Sequence, residues 1–256
     1  MTENKVCFIT GSASNNGRRM AERLAELGYD IAIHHSGRSP ENAEEVKRNV
    51  EAFGRKAEIF EEDLSVPGAA ERLFRKFREK YDRLDLFINN AGVTVSGNLP
   101  DITEADYERV TGIDYRAAVF CVREACEFMR EKKIPGSVLV ISSNHHDRLW
   151  RYSALYGSTK EALCRFVKYA AVEYIRDGIR VNCIAPGWID WEIVSRLHMA
   201  EIAEREIPAK RFVTSGEIAD WAHFLAGPAA RSLTGQTIDL DGGASLLNGP
   251  MEEYGL

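Results

Sequence analysis

The sequence predicts a single-domain, doubly wound α/β fold in which helices cover both faces of a parallel sheet. Two observations lead to this prediction. Short apolar runs alternate with amphipathic stretches along the chain, and no linker, internal repeat or change of composition divides its 256 residues. Strands that alternate with helices are joined by right-handed crossovers, which makes the sheet parallel and covers both of its faces. A chain of this length can bury the core of one large domain.

Each predicted strand is a short apolar run, and a predicted helix follows most of them. The predicted strands cover residues 6–9, 31–33, 57–60, 84–88, 137–141, 180–184 and 237–240. The predicted helices cover residues 18–27, 40–53, a segment through Leu73 and Phe77, about 103–129 and about 156–176. Ligands bind outside the carboxyl ends of the strands in such sheets. The segments after Ile9, Ile33, Ile88, Ile141 and Ile184 are therefore expected to line one site.

Charge and composition exclude several classes of protein. The 33 basic and 39 acidic side chains give a net charge of −6, which disfavours a nucleic-acid partner. Neither the N-terminus nor any later apolar run has the pattern of a signal peptide or a membrane span, so we expect a cytoplasmic protein without membrane contact. The five cysteines form no C-x-x-C pair and are predicted to be buried thiols, not a disulfide framework or a zinc site.

The first candidate binding element is the segment T-G-S-A-S-N-N-G at residues 10–17, between the first strand and the first helix. Gly11 permits close backbone approach, and the start of a helix offers free N–H groups and a positive dipole to a phosphate. A loop of this composition can also simply turn the chain.

The second candidate element is the pair Tyr156 and Lys160 at the start of a predicted helix. A spacing of four places the phenol and the ammonium group on one helix face. A nearby cation lowers the pKa of a phenol, which would make Tyr156 a proton donor or acceptor near neutrality. The alternative is a solvated helix face. Ser143 favours a site, because it ends the fifth strand at the same sheet edge as the glycine loop.

Together with three further segments, these elements resemble the short-chain dehydrogenase/reductase family. That family is marked by a T-G-x-x-x-G-x-G loop, N-N-A-G, a catalytic serine, Y-x-x-x-K and a later P-G. Here N-N-A-G stands at residues 89–92, N-C-I-A-P-G at 182–187 and T-G-Q-T-I-D-L-D-G-G at 234–243. The resemblance covers nearly the whole chain and implies a Rossmann fold and NAD(P)-dependent oxidation of an alcohol or reduction of a carbonyl.

The resemblance implies a role for each matching residue. Tyr156 would be the general acid/base, Lys160 would hold the nicotinamide ribose and lower the pKa of Tyr156, and Ser143 would hydrogen-bond the substrate oxygen. Asp114 stands at the position of an asparagine that, in the family, supports a water-linked proton relay to the lysine. The implied cofactor-binding residues are Gly11, Ser14, Asn15, Asn16, Gly17, His35, Ser36, Arg38, Asp63, Leu64, Asn90, Ala91, Gly92, Tyr156, Lys160, Pro186, Gly187 and Ile189.

The sequence departs from the family at three positions. Asn15 replaces the middle loop glycine, although asparagine tolerates the left-handed region. Asp114 could accept a hydrogen bond in the relay but, when ionised, could not donate one. Trp191 replaces a small hydroxyl residue that contacts the nicotinamide amide. An alternative function therefore stays open: a dinucleotide-binding protein with weak catalysis and a regulatory or structural role.

The end of the second strand predicts the choice of cofactor. An acid there would bind the adenosine ribose hydroxyls and repel a 2′-phosphate. This segment has none, and His35, Ser36 and Arg38 offer donors and positive charge. NADP(H) is therefore favoured over NAD(H), with a solvated polar loop as the alternative interpretation.

The substrate is expected to be a small carbonyl or alcohol compound. The segment from Ser143 to Trp150 loosely resembles glucose 1-dehydrogenase-like and 3-oxoacyl-reductase-like members. A metal at His145, His146 and Asp147 is disfavoured because adjacent side chains rarely converge, so no metal is predicted. Residues of about 188–210 match the family's substrate lid, with ordinary helix packing as the alternative interpretation. The predicted substrate-binding residues are Ser143, His145, Trp150, Tyr156 and Trp188.

We also expect a homotetramer. In the family, the helices that match residues 103–129 and 156–176 pair across two-fold axes, and here they carry several apolar side chains: Val119, Phe120, Val122, Phe128, Leu163, Phe166, Val167 and Val172. The alternative is that these side chains only cover the sheet. The apolar tail at residues 244–256 is expected to dock on a neighbouring subunit.

Overall fold

The computed structural model describes residues 4–190 and 199–247. The strands are β1 (Lys5–Ile9), β2 (Tyr29–His35), β3 (Ala57–Glu61), β4 (Leu86–Asn89), β5 (Ser137–Ile141), β6 (Arg180–Pro186), β7 (Ile189–Asp190), β8 (Val213–Thr214) and β9 (Thr237–Leu240). Seven of them form one parallel sheet in the order β3-β2-β1-β4-β5-β6-β9, and β7 pairs with β8 separately. The strand order reverses between β1 and β4, and a ligand crevice forms at such a reversal.

Helices cover both faces of the sheet, which confirms the predicted doubly wound α/β fold. They are α1 (Asn15–Glu26), α2 (Pro40–Ala52), α3 (Ala69–Arg78), α4 (Glu104–Val110), α5 (Ala117–Lys132), α6 (Ala154–Tyr174), α7 (Met199–Glu206) and α8 (Ser215–Ala226). The buried side chains of α3, α5 and α6 pack on one face, and those of α1, α2 and α8 pack on the other. Phe8 and Phe77 stack at 4.8 Å in the first of these cores.

The predicted helix at residues 103–129 has a more complex structure than its sequence pattern suggests. Thr103 caps α4 by accepting a hydrogen bond from the backbone N–H of Asp106, and the Asp106 carboxylate accepts one from the backbone N–H of Thr103 in return. A π-helical segment, Thr111–Arg116, then joins α4 to α5. Such wide turns are common at functional sites, and this one carries Asp114.

The five cysteines are buried and unpaired, as predicted. Within the described ranges, no helix has both the length and the apolar character that crossing a bilayer requires.

Candidate active site

Two cavities lie side by side at the carboxyl ends of the strands. The phosphate-side cavity, of about 420 Å³, lies along the glycine loop and the ends of β2 and β3. The catalytic-side cavity, of about 700 Å³, lies along the segments after β4, β5 and β6 and the start of α6. Both are lined by Asn15, Asn16, Asn90, Gly92 and Val93, so they form one continuous crevice.

The structure brings nearly all of the predicted site residues to this crevice. The phosphate-side cavity is lined by Gly11, Ser14, Asn15, Asn16, Gly17, His35, Ser36, Arg38, Asp63, Leu64, Asn90, Ala91 and Gly92. The catalytic-side cavity is lined by Ser143, His145, Trp150, Tyr156, Lys160, Pro186, Gly187, Trp188 and Ile189. Asp114 lies behind the lining, and Trp191 lies outside the described residues.

The glycine loop is fixed to the end of β4. Thr10 Oγ1 accepts hydrogen bonds from the backbone N–H groups of Asn90 at 2.9 Å and Ala91 at 3.0 Å. The Asn90 amide in turn donates to the Thr10 carbonyl at 3.0 Å. Gly17 has to be glycine, because a Cβ there would collide with the carbonyl oxygen of Gly11. The first turn of α1 lines the phosphate-side cavity, and its N–H groups have no partner within the helix.

His34 supports the same loop, and the sequence analysis missed it. Its side chain is buried at the end of β2, where Nδ1 accepts a hydrogen bond from the backbone N–H of Gly11 at 2.9 Å. On the other side, Nε2 donates to the carbonyl of Glu62 at 2.9 Å. A carbonyl only accepts, so the proton sits on Nε2 and the ring is neutral. Burial lowers the pKa of His34 to about 4.

The end of β2 carries the residues predicted to select the cofactor. Ser36 and Arg38 are exposed at the rim of the phosphate-side cavity. His35 Nδ1 accepts from the Gly37 backbone N–H at 3.1 Å, and its Nε2 lies 4.0 Å from Glu61 Oε2. Glu61 belongs to β3, so an acid does reach this region, although it comes from a neighbouring strand that the sequence analysis did not consider.

A buried ion pair lies beside Tyr156. Lys160 Nζ is 3.1 Å from Asp114 Oδ2, and the two side chains are 5% and 0% exposed. Asp114 Oδ1 also accepts a hydrogen bond from the backbone N–H of Val93 at 2.7 Å. Burial alone would lower the pKa of Lys160, but the attraction of Asp114 outweighs it and the net pKa is raised. The ammonium group, 5.2 Å from the centre of the Tyr156 ring, is therefore charged.

Asp114 contacts Lys160 directly, which differs from the water-linked relay that the resemblance implied. At 3.1 Å the two groups leave no space for a water molecule between them. The π-helical segment around Asp114 makes this possible by turning the carboxylate inward, where Gly92 provides room. A Cβ on Gly92 would lie 3.1 Å from Asp114 Oδ2.

Ser143 follows β5 and begins the short turn Asn144–His146. It is 8% exposed, and its Oγ accepts from the backbone N–H of His145 at 3.4 Å. The preceding Ser142 donates to the carbonyl of Lys160 at 3.0 Å. This bond fixes the end of β5 against the helix that carries Tyr156 and Lys160.

The rings of three residues form one side of the catalytic-side cavity: His145, Trp150 and Trp188. The His145 ring meets the Tyr156 ring edge-on at 5.0 Å, and Trp150 and Trp188 meet in the same way at 5.9 Å. Burial lowers the pKa of His145 to about 4, and the charge of Lys160 acts in the same direction. Phe212, which the sequence analysis did not name, stacks on Trp188 at 6.0 Å.

The predicted lid at 188–210 is described only in part. Ile189 and Asp190 form β7. Ala203 of α7 and Ile207, the residue after that helix, pack with Phe212 in a small apolar cluster beside Trp188. Residues 191–198 lie outside the described residues, as do residues 248–256 of the tail.

Comparison with known proteins identifies the family. A family model described as enoyl-(acyl carrier protein) reductase matches residues 11–245. The chain belongs to the short-chain dehydrogenase/reductase family. Within it, the chain is 28% identical to the 3-oxoacyl-[acyl-carrier-protein] reductase FabG of Staphylococcus epidermidis over 242 residues, which cover 94% of this chain and 98% of that protein.

Solved structures of the family superpose closely on this fold. The acetoin dehydrogenase from Enterobacter cloacae matches with a TM-score of 0.89 and 30% identity, over 97% of this chain and 98% of that one. ElxO, with NADP bound, matches with a TM-score of 0.86 and 25% identity, over 96% of this chain and 100% of that one.

The family's loop pattern survives the replacement of its middle glycine. Asn15 stands at that position with φ of 48°, in the left-handed region. Asparagine is the non-glycine residue best suited to this conformation. The local backbone therefore accommodates asparagine where the family has a glycine.

Proposed function

We propose that this protein is an NADP(H)-dependent oxidoreductase that interconverts a small carbonyl compound and an alcohol, with Tyr156 as the general acid/base. The observation that carries this proposal is the buried Lys160–Asp114 ion pair beside Tyr156, at the catalytic end of a crevice that begins at a glycine loop.

The residues present fit a dinucleotide. Gly11 and Gly17 keep side chains out of the loop, and the first turn of α1 borders the phosphate-side cavity. Asn16 Oδ1 is buried and has no hydrogen-bond partner among the described residues. A bound dinucleotide would place its phosphates against this loop and its nicotinamide beside Tyr156, Lys160 and Ile189. When bound, the nicotinamide supplies or accepts the hydride.

The protein's own residues would handle the proton and the charge on oxygen. In the reductive direction, the Tyr156 hydroxyl donates its proton to the substrate oxygen, and the Ser143 hydroxyl donates a hydrogen bond to the same atom. Lys160 would bind the nicotinamide ribose and keep a positive charge beside Tyr156. Asp114 keeps that charge in place, which makes it a positioning residue.

Two features support NADP(H). The carboxyl end of β2 carries Ser36 and Arg38 and no acid, and ElxO is a structural relative with NADP bound. The Glu61 carboxylate would repel a 2′-phosphate. The preference for NADP(H) over NAD(H) therefore depends on Arg38.

We also propose one catalytic domain that assembles as a homotetramer in the cytoplasm. Tyr169 and Val172 of α6 are 70% and 79% exposed, which is unusual for side chains of this size and supports a subunit interface there. Four of the predicted interface side chains instead cover the sheet within the chain: Val122, Phe128, Leu163 and Val167. A stable monomer of 28.7 kDa in light scattering would contradict the assembly.

The function is tested by following NADPH and NADH oxidation with a panel of sugars, steroids, quinones and short ketones. We expect turnover with at least one carbonyl compound, preferentially with NADPH. Tight binding of NADPH, measured by its fluorescence, without turnover on any compound would instead favour the dinucleotide-binding protein with a regulatory or structural role.

A further inference from the structure

A group of three metal-ligand side chains lies outside the crevice, on the far side of the turn after β5. His146 belongs to that turn, while Glu161 and Cys164 lie three residues apart on α6 and so share one helix face. One ligand atom from each side chain lies within 4.8 Å of the others. The role proposed above for the crevice uses none of these three residues.

The distance between two of these atoms matches what a tetrahedral ion requires. Zinc lies about 2.1 Å from a histidine nitrogen or a carboxylate oxygen, so two such ligands on a tetrahedral ion are roughly 3.4 Å apart. His146 Nδ1 and Glu161 Oε2 are 3.5 Å apart.

A fourth residue fixes the orientation of the histidine. Asp239, on β9, places Oδ1 2.8 Å from His146 Nε2. A carboxylate accepts, so this hydrogen bond keeps a proton on Nε2, and a metal ion would take the place of the proton on Nδ1, which lies 3.5 Å from Glu161 Oε2. Histidines that bind metals usually make such a bond through their second nitrogen, often to a carboxylate.

The cysteine supplies the sulfur ligand of the group. Cys164 is 4% exposed, and its Sγ lies 3.3 Å from Ser142 Oγ. A metal ion coordinates the thiolate, so binding would displace the thiol proton.

We propose that His146, Glu161 and Cys164 form a binding site for a zinc-class divalent cation, with Asp239 supporting the histidine. The nitrogen, oxygen and sulfur donors favour Zn²⁺ over Mg²⁺ or Ca²⁺, which prefer oxygen ligands alone. Glu161 has 56% of its side chain exposed, so the fourth position opens to solvent. His145 and Asp147, the sequence neighbours of His146, take no part.

Such an ion would link two elements of the candidate active site. The turn with His146 begins at Ser143, and the helix with Glu161 and Cys164 also carries Tyr156 and Lys160. Binding would therefore hold the turn against α6 and raise the thermal stability of the protein.

The test titrates metal-free wild-type protein with Zn²⁺ in competition with a chromophoric chelator, and with Co²⁺ as a spectroscopic probe. We expect one ion per chain, an increase in Tm with Zn²⁺, and a thiolate-to-cobalt charge-transfer band. Glu161→Gln should weaken Zn²⁺ binding by at least about tenfold, and Asp239→Asn by roughly 10-fold to 100-fold. Cys164→Ser should abolish the charge-transfer band.

The matched control is Glu173→Gln, an exposed glutamate on the same helix and outside the cluster. It should bind Zn²⁺ as the wild type does. Equal affinity of the wild type and Glu161→Gln would overturn the proposal, as would a cobalt spectrum without a thiolate band. Either result would indicate that His146 is an imidazolium ion paired with the carboxylates of Glu161 and Asp239 and not a metal ligand. Because Glu161 is exposed, its variant gives an answer even where Cys164→Ser fails to fold.

Discussion

The two ends of the crevice are held by opposite kinds of interaction. At the phosphate end, the loop is supported by uncharged groups: the neutral imidazole of His34, the Thr10 hydroxyl and the Asn90 amide. At the catalytic end, the Lys160–Asp114 ion pair is buried beside Tyr156. A phosphate brings its own negative charge and needs N–H donors, whereas a proton-transferring tyrosine benefits from a permanent cation, which in turn needs a buried counter-ion.

The largest effect is expected from a change that affects only the catalytic end. Tyr156→Phe keeps the aromatic ring, which packs edge-on against His145, but removes the proton. Turnover should fall by about 10²–10⁴-fold, the usual contribution of general acid–base catalysis. The dissociation constant of NADPH should stay nearly unchanged, because the glycine loop is untouched. Steady-state kinetics and NADPH fluorescence measure the two quantities, and a kcat like that of the wild type would refute the proposed mechanism.

Removing the counter-ion should destabilise the fold as well as the site. Asp114→Ala leaves the Lys160 ammonium buried without its partner, which typically costs about 3–5 kcal/mol of the free energy of unfolding. The pKa of Lys160 should then fall, because burial is no longer opposed. Urea unfolding measures the first effect and the pH dependence of kcat the second. Asp114→Asn serves as the comparison, since its amide oxygen can still accept from the Val93 N–H. An unchanged urea midpoint in Asp114→Ala would show that the pair is not stabilising.

The phosphate end should respond to pH through His34. Its pKa is lowered to about 4 in the folded protein, from about 6.5 when unfolded, so the unfolded chain binds the proton more readily. The stability that neutral His34 contributes is therefore complete above about pH 6.5 and is lost as pH falls toward 4, by on the order of 3 kcal/mol.

His34→Gln tests this prediction, because glutamine can accept from Gly11 and donate to Glu62 but does not titrate. Urea midpoints between pH 7 and pH 4 should fall more steeply for the wild type than for the variant. The charged neighbours His35, Glu62 and Lys76 are present in both proteins and cancel in the difference. Parallel curves would show that His34 is not the titrating group.

The sequence pattern located two strands of the sheet at their observed bounds. The predicted strands 137–141 and 237–240 coincide with β5 and β9. It predicted only the centre of β2, residues 31–33, because Asp30, His34 and His35 bound the apolar run although all three are buried. Asp30 accepts from the Lys56 backbone N–H at 2.9 Å, and His34 bonds to Gly11 and Glu62. These partners come from other parts of the chain, so no local pattern reveals them.

The difference between local patterns and contacts distant in sequence also explains which features of the candidate site the sequence analysis missed. Strand ends and motifs located the residues that line the crevice. The partners that position those residues depend on contacts between elements that are distant in sequence: His34 with the glycine loop, Glu61 with the end of β2, and Asp114 with Lys160. A π-helical segment is also invisible to a periodicity of 3.6 residues, so the inward position of Asp114 could not be predicted from the pattern of its helix.

The smallest expected effect concerns charge at the rim of the phosphate end, where Arg38 and Glu61 act in opposite directions. Arg38→Ala should weaken NADPH binding by about fivefold to tenfold, because a charged hydrogen bond at an exposed position contributes about 1 kcal/mol, and it should leave NADH binding nearly unchanged. Glu61→Gln removes the carboxylate near His35 and should tighten NADPH binding, by less than Arg38→Ala weakens it. Dissociation constants of both cofactors for both variants, at two salt concentrations, separate these effects, since added salt should reduce them. Equal affinity of the wild type for NADPH and NADH would contradict the cofactor preference, and a loss of NADH binding in Arg38→Ala would show that the arginine supports the loop and not the 2′-phosphate.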